Sequence, residues 1–143
     1  MATYAKNDTI RVVINKNPAG GYLFALNENN GKGPVQAVTF KNENHPGTMV
    51  YFKIDDQGKT GLVFQPDPLD AMWVALGSGN PPAGAQWPGF VPLSVEDNGT
   101  RLIVYDRNLQ QGVQFKFTLR FVGPGGAAID YDPIGNDANG QRF

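Results

Sequence analysis

The residues best equipped for chemistry crowd the carboxyl end of the chain. Asp130, Asp132, Asn136, Asp137 and Asn139 place five oxygen-bearing side chains within ten residues. Calcium takes six to eight oxygens from carboxylates, amides and carbonyls, so this segment reads as a candidate metal site. It is not an EF-hand. Counting from Asp130, the first and third positions match and Gly135 stands sixth. Pro133 stands fourth, however, Ile134 fifth, and Gln141 occupies the place where a bidentate glutamate closes such a loop. Two readings remain: a calcium loop of another kind, or a turn-rich tail whose aspartates and asparagines bond their own backbone.

The other candidates are thinner. Trp87 lies in Trp87-Pro88-Gly89-Phe90, and an exposed indole there would stack on a sugar ring or a partner side chain. Tyr131, beside the acidic residues, offers a second stacking ring. Trp73, within an apolar segment, is expected in the core. Asp67 and Asp70 resemble the paired carboxylates of glycoside hydrolysis. They stand in Pro66-Asp67-Pro68-Leu69-Asp70, however, a proline-fixed turn in which aspartates bond nearby amides. One histidine, His45, and two serines, Ser78 and Ser94, supply a triad in number but not in context. Pro46 restricts His45 to a turn before a strand. Cysteine is absent, which excludes disulfides and thiolate metal sites. Gly77-Ser78-Gly79 runs into Asn80-Pro81-Pro82 and not into a helix, so it cannot cradle phosphate. The chain reads as a non-enzyme with no cofactor, calcium being the one candidate ion.

The elements that must carry these residues are strands. Val113 to Phe121 is apolar at odd positions and polar at even ones, the period of a half-buried strand, expected over Val113–Val122. Further strands are expected near Ile10–Asn15, Gly21–Leu26, Val35–Phe40, Thr48–Ile54, Gly61–Phe64, Met72–Leu76, Val91–Val95, Arg101–Tyr105 and Ala128–Tyr131. No long segment keeps helical periodicity. The 18 glycines and 11 prolines fall between these segments and punctuate them. Asn98-Gly99 predicts a tight hairpin between Leu93 and Tyr105. Asp55-Asp56-Gln57-Gly58 predicts another, joining Thr48–Ile54 to Gly61–Phe64. Gly77–Gly89, with two consecutive prolines, is a loop. Ten short strands in 143 residues predict one all-β domain, residues 1–143, built as an antiparallel two-sheet sandwich.

Net charge is −1 and evenly spread, so no basic stripe in the linear sequence points to nucleic acid. No apolar run is long enough to span a membrane, and the first residues do not read as a classical signal peptide. A cytoplasmic location is the expectation. The sequons at Asn7 and Asn98 read as turn chemistry.

Three segments resemble the bacterial DP-EP family. They are Pro66-Asp67-Pro68-Leu69-Asp70-Ala71-Met72-Trp73-Val74, Leu109-Gln110-Gln111 leading into Phe115–Phe121, and Tyr131-Asp132-Pro133-Ile134-Gly135-Asn136-Asp137-Ala138-Asn139-Gly140. The likeness covers most of the chain from Thr48 onward; Glu-Pro does not occur. The resemblance implies an immunoglobulin-like β-sandwich and brings no activity and no catalytic residues. The functional expectation is a non-enzymatic interaction or structural domain, a homo-oligomer or the binder of a protein partner. The alternative is a lectin-like or calcium-assisted module using Asp130, Asp132, Asn136, Asp137 and Asn139 with Trp87 or Tyr131.

Overall fold

The computed structural model describes residues 8–28, 37–40, 48–77, 79–107, 113–132 and 134–137. Strands dominate: β1 (Asp8–Lys16), β2 (Tyr22–Glu28), β3 (Ala37–Phe40), β4 (Thr48–Asp55), β5 (Val63–Phe64), β6 (Met72–Leu76), β7 (Phe90–Glu96), β8 (Arg101–Asp106), β9 (Val113–Val122), β10 (Ala128–Tyr131) and β11 (Ile134–Asp137). One helical turn, α1 (Pro68–Ala71), interrupts them. Five strands form the first sheet in the order β2-β1-β4-β8-β7.

The second sheet is built on β9. On one side β9 pairs with β5 and β6, on the other with β10 and β11, and β3 lies beyond β11. The alternation of β9 decides this arrangement. Phe115, Phe117, Leu119 and Phe121 are fully buried on one face, while Gln114, Lys116 and Arg120 keep contact with solvent on the other. The buried rings meet rings of the first sheet. Phe117 lies 5.5 Å from Phe52, Phe115 lies 4.9 Å from Phe90, and Phe121 stacks on Phe24 at 5.2 Å. One core therefore holds both sheets, with Val12, Ile14, Leu26, Val50, Leu102 and Val104 closing it from the first.

The sequence predicts purely antiparallel pairing, and the structure corrects this. β1 and β4 run parallel, and so do β3 and β11. Parallel neighbours need a crossover connection. The chain leaves β1 through β2, visits β3 in the other sheet, and returns beside β1 as β4.

The expected hairpin at Asp55–Gly58 is a change of sheet. β4 belongs to the first sheet and β5 to the second. Gly58 donates its N–H to Ile14 O at 2.9 Å, and a Cβ on it would stand 2.8 Å from Asn15 Cα, so the chain crosses directly over the end of β1. Asp56 then turns it. Its carboxylate accepts from Thr60 N, Thr60 Oγ1 and Gly61 N, each at 2.8 Å. Burial alone would raise this carboxyl's pKa, but those donors, with Lys16 nearby, hold it below the usual carboxylate value. The Leu93–Tyr105 hairpin forms as expected between β7 and β8. Its left-handed residues are Asp97 and Asn98, with φ of 54° and 57°, followed by Gly99 at 86°.

Candidate functional site

Two stretches of the oxygen-rich carboxyl segment are strand, Ala128–Tyr131 and Ile134–Asp137. β10 and β11 each pair antiparallel with β9, Ala128 facing Val122 and Asp137 facing Val113. Strand alternation puts Asp130 and Asp132 on the same outer face. Asp130 Oδ1 accepts from Arg120 Nε at 3.2 Å. Asp132 Oδ1 accepts from Thr118 Oγ1, and Lys116 Nζ donates to the Asp132 carbonyl at 3.0 Å. The backbones of Asn136 and Asp137 face Gln114 and Val113. Asn139 lies outside the described residues. Among the described residues no group of three or more histidine, aspartate or glutamate side chains is placed to hold a metal ion.

Arg120 ties this face together, a role its sequence context does not advertise. Phe64 faces Phe121 and Met72 faces Leu119, so residues 65–71 bulge out opposite Arg120 alone. That bulge is the Pro66–Asp70 motif. Asp67 caps α1 by accepting from Leu69 N at 2.9 Å, which is the turn chemistry expected of it. Asp70 is exposed, and its carbonyl accepts from Arg120 Nη1 at 3.3 Å. The Arg120 guanidinium lies 3.9 Å over the Trp73 ring. Trp73 is therefore not in the core. Met72 and Val74 take the core positions, and strand parity turns Trp73 outward beneath the arginine. Its Nε1 is buried with no hydrogen-bond partner among the described residues.

The two proposed stacking rings face inward. Trp87 packs on Phe115 at 5.3 Å and over Gly89, where a Cβ would come within 2.4 Å of the indole. Tyr131 is 9% exposed and stacks on Phe24 at 4.9 Å; burial pushes its phenol up from its ordinary pKa. Ser94 donates to Glu96 Oε2 at 3.1 Å. His45 and Ser78 lie outside the described residues.

The outer face of the first sheet is different in kind. In register across it stand Tyr51, Ile103 and Ser94, and in the next row Tyr105 and Val91. Leu93, at the bulge in β7, is 47% exposed. A sheet face turned to solvent usually carries polar residues at these positions. Neither a protein-family model nor a curated protein matches the chain.

Proposed function

We propose that this chain is a non-enzymatic bacterial interaction domain, an immunoglobulin-like β-sandwich of the DP-EP kind, whose partner is a protein chain. The observation that carries this reading is the row of aromatic and aliphatic side chains on the solvent face of the first sheet. Tyr51, Ile103, Tyr105 and Val91 are part-exposed and Leu93 is 47% exposed, and apolar groups gathered on a solvent face mark protein contact sites. Of the two carboxylates weighed for catalysis, Asp67 caps its helical turn, and Asp70 is exposed, its backbone carbonyl bonded to Arg120. Among the described residues no helix is long and apolar enough to cross a membrane.

A second copy is the first partner to test, because the two edges of the first sheet differ. β7 carries Pro92 and a bulge, devices that block pairing. β2 has neither, pairs with β1 in continuous register, and exposes Leu23 to 50%. Edge strands of that description recruit further strands. Sedimentation across a concentration series is expected to show rising mass, and Leu23→Lys to hold the protein monomeric. A monomer at every concentration would contradict self-association.

A further inference from the structure

The first sheet brings three cations into one row. Arg11 in β1 faces Lys53 in β4, and Lys53 faces Arg101 in β8. Their inward neighbours Ile10, Phe52 and Leu102 are buried, so all three project from the solvent face. They lie 42 and 48 positions apart in the chain, and only the strand order unites them. Like charges directly opposite one another destabilise a sheet. Arg11 is relieved by Asp55 at 3.1 Å, and Arg101 by the Tyr51 ring at 4.4 Å and Asp97 at 4.0 Å. Lys53, exposed between them, has no ion pair among the described residues. The two arginines are compensated and Lys53 is not, and an uncompensated break of a local rule is expected at functional surfaces.

From this we infer that the outer face of the first sheet binds a short acidic polypeptide segment carrying apolar residues, its carboxylates on Arg11, Lys53 and Arg101. The inference rests on reading the chain as an interaction domain and names the partner's chemistry. Charge complementarity supplies the acidic half. The neighbouring row, Tyr51 and Ile103, lies about 7 Å along the strands and supplies the apolar half. Asp55, Glu96 and Asp97 border the cations. Three acids balance the three cations, and Lys53 is the one without an ion pair among the described residues. The unneutralised charge is therefore local and suits a carboxylate seated at Lys53 between the arginines, not a continuous phosphate backbone.

The test uses a fluorescent peptide of alternating glutamate and leucine, with oligothymidylate as competitor. Binding is expected to weaken with added salt and to fall about tenfold in Lys53→Glu. The same substitution is expected to raise the melting point of the free protein by about 3 °C, because it puts an acid between two arginines. Lys53→Gln should lie between. A merely structural lysine would not give gained stability together with lost binding. No peptide binding, or binding unchanged in Lys53→Glu, overturns the inference. Oligothymidylate displacing the peptide overturns it in favour of nucleic acid. Absent peptide binding with rising mass in sedimentation sinks this surface alone; absent binding with a constant monomer sinks the interaction reading as well.

Discussion

Arg120→Ala is expected to cost about 2–3 kcal/mol and to lower the melting point by roughly 8 °C. Three contacts leave together: the stack on Trp73 at 3.9 Å, the ion pair to Asp130 at 3.2 Å and the bond to the Asp70 carbonyl at 3.3 Å. The ion pair is the smaller part, because the Asp130 side chain is 43% exposed and water screens it. The stack and the packed arginine stem carry more, the Arg120 side chain being only 16% exposed. Arg120→Lys keeps the charge but not the plane and should lose about half as much. Asp130→Ala should cost about 1 kcal/mol. Trp73 is one of two tryptophans and reports directly, its emission moving red as water reaches the indole. A melting point within about 1 °C of the parent, with unchanged emission, would refute the clamp.

Phe117→Ala is expected to cost more still, about 4 kcal/mol. Phe117 is fully buried and touches both sheets, with Phe52 at 5.5 Å, Phe90 at 5.8 Å and Phe115 at 6.1 Å. The cavity left at that junction cannot collapse without moving one sheet toward the other. Small domains hold only about 5–15 kcal/mol in total, so this variant should unfold at markedly lower denaturant. Denaturant melts followed by circular dichroism and by tryptophan emission measure it. A loss below about 1 kcal/mol would mean that the two sheets do not share this core.

The strands were legible where alternation or a glycine turn marked them. Val113–Val122, Ala128–Tyr131 and Met72–Leu76 have the limits the sequence suggested. Gly61–Phe64 shortened to Val63–Phe64 because Asp56 holds Thr60 and Gly61 in a turn, a bond across several residues that periodicity does not reveal. Ile134–Asp137 was hidden because Gly, Asn and Asp are turn residues by propensity. Pairing with β9 and β3 outweighs that preference. The site was less legible than the fold. Residue type points Trp73 to the core, whereas its position beside Met72 decides its face. Arg120 with Trp73, and Arg11 with Lys53 and Arg101, are neighbours only through strand order. Strand order depends on crossovers that no local pattern encodes.

The most direct measurement is an amide chemical-shift map of the intact protein titrated with the acidic peptide. Shifts are expected to concentrate at Arg11, Tyr51, Lys53, Arg101 and Ile103, across three strands of one sheet face. Shifts confined to the Asp130–Asp137 strands, or to the Asp67–Asp70 turn, would place the working surface on the other sheet and contradict the account.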